Sequence, residues 1–271
     1  MADNDSIALG RFAQHPVRSM GKAMIGPVEF FGKFTIFFFD SIKRCFFPPV
    51  SMKLLMRQLE FVGNRSFGIT VISSMMIGAV FGFILGDIFQ IFSAESMLGA
   101  AAGLSLSKEL APVLGGFLVT ARAGSAMAAE IATMRVNEQI DAMKVMAVNP
   151  IGYLVAPRLL AAMIMMPLLT FIFILTGIFT SFVIGVVFFD VDVGVFFEKM
   201  RWLLRPKHIF QGAQKALVFG ALIASIGCFK GFYAGGGAKG VGKATTEAVV
   251  TTLVMILVFD FVISYLQFQM G

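Results

Sequence analysis

A chain of 271 residues that is 58% hydrophobic and only 14% charged, with a mean hydropathy of +0.85, lies far from the composition of a soluble domain. It reads as an all-α integral membrane protein. The 31 Phe and 18 Met suit surfaces that face lipid, and Cys45 and Cys228 show no metal-ligand spacing. The net charge of +6 does not require nucleic acid once its distribution along the chain is followed.

The first 20 residues lack the apolar core and small-residue cleavage site of a secretory signal. Residues 1–50 read as an N-terminal tail and an interfacial helix. Within them, FFGKFTIFFFDSIKRCFFPP leaves a broad Phe-rich face beside Lys33, Asp40, Lys43 and Arg44, which fits an amphipathic helix lying in the membrane surface. A short spanning helix over residues 24–49 is the alternative. Residues 51–271 form the second region. Ser51–Arg65 reads as a polar helical lead, and five membrane spans follow, at about Phe67–Phe92, Met97–Thr120, Leu159–Phe189, Ala213–Phe232 and Thr246–Gln269. The third exceeds one perpendicular crossing, so it is expected to tilt, to kink at Pro167 or to extend beyond the lipid.

Lys and Arg set the expected orientation. They crowd the first 65 residues, are absent from DIFQIFSAES after the first span, and return between spans two and three and between spans four and five. The N-terminus is therefore expected in the cytoplasm. The loop Asp190–Gly212 departs from this alternation, with Lys199, Arg201, Arg205 and Lys207 partly balanced by acids. Between spans four and five, Gly237, Gly242 and Lys243 match fixed positions of a phosphate-binding loop, but Ala244 stands where the Mg²⁺ hydroxyl belongs. The stretch is expected to be a tight turn, with Thr245 or Thr246 capping span five. Any ATP and Mg²⁺ would then be held by another subunit, and this chain would carry no cofactor.

Lys108, Glu109, Lys215 and Asp260 are ionisable residues inside apolar segments, where charge is costly and tends to pair or to face a cavity. Both readings stay open: an internal ion pair that holds helices together, or a polar patch that meets an amphiphile's head group. Gly78, Gly82 and Gly86, with Ser74, give span one a small-residue face. It can serve packing within one subunit, across a homodimer or around a substrate. Residues 122–146 read as one charged helix carrying Glu130, Arg135, Glu138, Asp141 and Lys144 and ending at Asn149-Pro150. It is either an ordinary loop helix or a docking helix for a partner's groove. His15 and His208 stand apart from any nucleophile or metal set, so an enzyme is not expected.

The ordered motifs Glu109–Leu114 (ELAPVL), Arg122–Ala126 (RAGSA), Ala129–Ile131, Glu138–Gln139, Met146–Pro150 and Ala156–Arg158 closely resemble the signature of the MlaE (YrbE-like) permeases. The likeness runs from about Ser51 to the C-terminus. Some members have Arg where Lys108 stands, which would change phosphate geometry. The resemblance implies the permease subunit of an ABC transporter, a homodimer in the bacterial inner membrane bound to two cytoplasmic ATPase subunits. It implies phospholipid moving between that membrane and a periplasmic MCE-domain protein. The lipid would enter a dimer-interface cavity near Lys108, Glu109 and Lys215, and the helix around Glu130–Met146 would couple to the ATPase. A non-transporting membrane scaffold, a sterol or other hydrophobic substrate, and a secondary transporter are the alternatives.

Overall fold

The computed structural model describes residue 29, residues 32–45 and residues 51–269. It divides into two compact units, Met1–Asp40 and Ser41–Gly271. In the first unit, residues 32–40 are helical, with Ile36 and Phe39 exposed and Lys33 paired with Glu29 one turn away at 2.6 Å. Much of the segment expected to lie in or across the membrane surface falls outside the described residues.

The second unit begins with helical residues 41–45 and continues as seven helices. Five are long and apolar enough to cross a bilayer: α1 (Met52–Ile91), α2 (Glu95–Val136), α4 (Ile151–Phe189), α6 (Pro206–Phe232) and α7 (Gly237–Gln269). Two short helices join them, α3 (Gln139–Val145) and α5 (Val193–Leu203). This is an all-α membrane fold with the five spans expected from composition. At 1.5 Å per residue, α1 and α2 are each about 60 Å long, twice the hydrocarbon thickness, so their polar turns project beyond it.

Four boundaries differ from the sequence reading, each for a local reason. The charged stretch 122–146 is not one helix. Its first half continues span two as far as Val136, and the chain breaks at Asn137-Glu138, where Glu138 takes a left-handed φ of 59°. The third span starts at Ile151 rather than near Leu159, and it passes through Pro167 as one helix. The glycine-rich turn is short: Gly236 and Gly237 adopt positive φ, and α7 is helical from Gly237 onward. Thr245 and Thr246 are therefore interior residues whose hydroxyls donate to the Val241 and Gly242 carbonyls rather than capping the helix. Finally, the basic loop after span three contains α5, whose N-terminus is capped by Asp192 accepting from the Val195 N–H at 3.0 Å.

Four π turns interrupt the long helices, at Glu60–Asn64, Leu106–Leu110, Thr120–Gly124 and Ile151–Val155. Two of them have a physical cause two residues downstream. Pro112 and Pro157 lack the N–H that would bond four residues back, so the helix widens. The Ala111 and Ala156 N–H groups then reach five residues back, to the Leu106 and Ile151 carbonyls.

Close approach of small residues holds the bundle together. The buried residues of α1 between Arg65 and Ile91 are Ser66, Thr70, Ser74, Gly78, Gly82 and Gly86, a stripe at four-residue spacing that lies against α4. A methyl group on Gly78 would run into the Gly177 backbone, and one on Gly82 would stand 3.2 Å from Ser181. The stripe thus packs within the chain. Helix α6 is the most buried span and forms the axle of the bundle. Its Gly220 meets the Ala162 backbone of α4, while Gly212 and Gly231 meet Ser107 and Ala128 of α2. The outward faces of α1, α4 and α7 carry Ile72, Val80, Leu175, Phe179, Val254 and Phe261, all exposed, as lipid-facing helices require.

Gly78→Val or Gly220→Val should lower stability by about 1–3 kcal/mol, through overpacking against backbone that cannot yield. A Cβ at Gly242 meets nothing within 4 Å, so Gly242→Ala should be neutral or stabilising by up to about 1 kcal/mol. Thermal unfolding of the purified variants in detergent checks both.

Candidate functional site

Lys215 lies nine residues into α6, about 14 Å from its start, and is completely buried. An ammonium at that depth needs anionic partners. The Nζ donates to Glu109 Oε2 from the π turn of α2 and to Ser264 Oγ of α7 at 2.7 Å. It lies 2.9 Å from Asp260 Oδ1 of α7, as an ion pair poorly aligned for a hydrogen bond. Ser264 also donates to Glu109 Oε1 at 3.4 Å. Three helices thus meet at one cation. With two hydrogen bonds, a third anionic neighbour and complete burial, Lys215 presents no accessible surface to a ligand. Two carboxylates share the one ammonium, and Glu109 remains 45% exposed.

Lys108, although adjacent to Glu109 in the chain, does not join this cluster. It lines a cavity of about 510 Å³ with Trp202, Arg205, Lys207, His208, Gln211 and Gln267 at the end of the bundle that carries α5. His208 Nδ1 accepts the Arg205 backbone N–H at 3.3 Å, which leaves Nε2 as its donor. Gln267 donates from Nε2 to the Gln211 carbonyl at 3.2 Å. The side-chain carbonyl oxygens of both glutamines are buried without a hydrogen-bond partner among the described residues. The cavity therefore offers several cationic donors and two unused acceptors. Of the four intramembrane residues singled out in the sequence, three form an ion cluster and one faces this basic cavity. Arg205, Lys207, Gln211 and Gln267 were missed as site residues. Arg205 and Lys207 were signalled only by the excess of basic charge in the loop that broke the orientation pattern, and Gln211 and Gln267 by nothing in the sequence.

The opposite end of the bundle carries α3. Its bounds are set by two non-glycine residues in left-handed conformation, Glu138 before it and Ala147 after it. Arg135 Nη1 lies 2.7 Å from Asp141 Oδ2, and Lys144 Nζ lies 2.9 Å from Oδ1. Hydrogen bonds from Lys144 and Arg135 hold the Asp141 carboxyl below the usual aspartate range. Because that pKa is depressed, the clasp is complete above the ordinary carboxylate range and is lost as pH falls through the lowered value. Glu130 does not join this group. It receives a 2.9 Å hydrogen bond from Arg158, a buried residue of α4 whose Nη1 also donates to the Leu154 carbonyl at 2.7 Å. Glu138 contributes the bend. Past the clasp, Val145 is 88% exposed, and Met146 and Val148 are exposed beside it.

Arg122 locks α1 to α2. Its Nη1 donates to the Phe61 carbonyl, inside the π turn of α1, and its guanidinium lies 4.9 Å from the Phe61 ring centroid. Among the described residues no group of three His, Cys, Asp or Glu is placed to hold a metal ion.

These features define a multi-pass helical membrane protein with one polar site at depth and one exposed elbow outside the spans. Residues 55–266 match the family model described as Permease MlaE, and the chain belongs to that permease family. It is 40% identical over 251 residues to a probable ABC transporter permease protein of Rickettsia felis, covering 93% of this chain and 97% of that one. A probable ABC transporter permease protein of Synechocystis is 39% identical over 220 residues, 81% of this chain and 84% of its own. The Arabidopsis protein TRIGALACTOSYLDIACYLGLYCEROL 1, chloroplastic, is 36% identical over 214 residues, 79% of this chain and 61% of its own length.

Lys215→Met strands two carboxylates and should cost about 3 kcal/mol of stability, whereas Lys108→Met should cost little. Thermal unfolding compares them, and adding Glu109→Gln and Asp260→Asn to the Lys215 variant should recover most of the loss. Asp141→Asn should speed amide exchange across Gln139–Val145 at neutral pH, read by hydrogen–deuterium exchange.

Proposed function

We propose that this permease subunit moves phospholipid between the bacterial inner membrane and a periplasmic MCE-domain protein, as a homodimer driven by a cytoplasmic ATPase dimer that holds ATP and Mg²⁺. The observation that carries the reading is the basic cavity beside the buried Lys215 cluster. Its donors, Lys108, Arg205, Lys207 and His208, suit a phosphate. Exposed Glu109 and the unused oxygens of Gln211 and Gln267 suit a head-group amine or hydroxyl, and Trp202 and Phe268 supply apolar walls. Lys215 and Asp260 serve this site by fixing Glu109 rather than by touching lipid. The name of the Arabidopsis relative refers to a diacylglycerol lipid, which agrees with a lipid cargo.

In this reading the N-terminus and α3 face the cytoplasm, and α5 with the basic cavity faces the periplasm. Helix α3 is the element that seats in the ATPase: Arg135, Asp141 and Lys144 hold its shape, Glu138 sets its angle, and Val145 and Met146 supply the apolar anchor. Glu130 relays its position to α4 through Arg158. The glycine-rich stretch that opens α7 takes no nucleotide, because it is helical where a phosphate loop must be irregular.

In proteoliposomes holding the assembled complex, Lys108→Met and Arg205→Gln should each slow transfer of fluorescent phospholipid about fivefold, with subunit composition unchanged. Unchanged transfer would count against this cavity as the lipid site, whereas no transfer by the wild-type complex would favour a non-transporting scaffold. Val145→Asp should weaken co-purification of the ATPase about tenfold, because it puts a charge into an apolar anchor.

A further inference from the structure

A second cavity, of about 520 Å³, lies at the other end of the bundle and belongs to neither the Lys215 cluster nor the elbow. Among the described residues its charged lining is Arg44, Lys53 and Arg57, all cationic. Lys53 and Arg57 are four residues apart on α1, so they project from the same face, and both are exposed. Like charges at that spacing repel mildly in an isolated helix, and no ion pair to either is found among the described residues. The Arg44 side chain comes within 3.6 Å of where a Cβ on Gly152 would stand, bringing a third cation to the start of α4.

The facing wall strengthens the positive field. Asn149 Oδ1 accepts the N–H groups of Ile151 and Gly152 at 3.0 and 3.2 Å, which fixes the first turn of α4 with its positive dipole end against the cavity. Leu54, Val148, Tyr153 and Pro157 complete the lining with apolar surface. Tyr153 is half exposed, as an aromatic ring at a membrane–water boundary is. The cavity lies between the first turns of α1, within its polar lead, and the first turn of α4, outside the apolar stretches of both helices. A cluster of cations over an apolar wall beside those stretches matches a phosphate carried on acyl chains.

We propose that this cavity binds the phosphate of an anionic phospholipid in the leaflet next to α3. The bound head group bridges the start of α1 to Val148 and Asn149, the residues that lead out of the elbow. Occupancy would therefore brace the α3–α4 connection without entering the cavity assigned to cargo.

The test is titration of the detergent-purified chain with phosphatidylglycerol or phosphatidylcholine, counting bound lipid by native mass spectrometry. Wild type should retain phosphatidylglycerol preferentially. Lys53→Gln/Arg57→Gln should weaken that binding about thirtyfold, roughly fivefold per charge, while Lys53→Arg/Arg57→Lys keeps it. Equal binding by wild type and the Gln pair overturns the site, as does loss in the charge-conserving pair. Displacement of the lipid by millimolar inorganic phosphate would assign the cavity to a soluble phosphate and overturn the lipid source. Binding is read without transport or ATPase, so this result stands apart from the permease reading.

Discussion

The ammonium of Lys215, buried in the axle of the bundle, cannot be left without counter-charge in a medium that solvates it so poorly. Its partners come from two other helices, so α2, α6 and α7 must bring Glu109, Lys215 and Asp260 to one level. That requirement accounts for the π turn within α2. Pro112 withholds a backbone donor, the helix widens into a π turn at Leu106–Leu110, and Glu109 lies in that turn. Its neighbour Lys108 turns into the basic cavity instead. One local irregularity thereby separates a structural charge from one free to meet a ligand.

Around the cluster, the bundle is held by backbone approaching backbone. Lipid tails give no hydrophobic reason for one apolar helix to prefer another, so contact must come from dispersion at short range. The stripe from Ser66 to Gly86 on α1 and the glycines of α6 permit it. Large side chains are displaced outward, where Phe179 and Phe261 meet lipid. Small residues line the close helix contacts, Phe173 and Phe219 fill the space between them, and large apolar side chains also coat the surface, unlike in a soluble domain.

The two ends of the molecule are joined by unbroken helix. α2 carries Lys108 and Glu109 in one part and Glu130 and Arg135 in another, and it continues into the elbow only two residues after its end. Arg158 ties that end to α4, and Lys230 with Glu247 clamps the turn between α6 and α7 at 2.9 Å. A push on α3 would pass into packed helices rather than into a flexible linker. In the proposed transport reading this is how ATP-driven motion would reach the cavity.

Composition alone determined the membrane class and the number of spans, because twenty-residue apolar runs have no other solvent that suits them. Ordered motifs from Glu109 to Arg158 pointed to the permease family, and intramembrane charges marked where polar groups must gather. The partners of those charges were not legible. Glu109, Lys215 and Asp260 lie more than forty residues apart in the chain, and only helix packing brings them together while turning Lys108 away. The break at Glu138 was hidden as well, since a left-handed glutamate has no signature in a run of good helix formers. The basic cavity drew most of its lining from a loop that looked like an anomaly of charge. Local composition sets which residues must be buried or paired; the choice of partner belongs to the tertiary structure, because in lipid many apolar packings are nearly equal and a few desolvated charges decide among them.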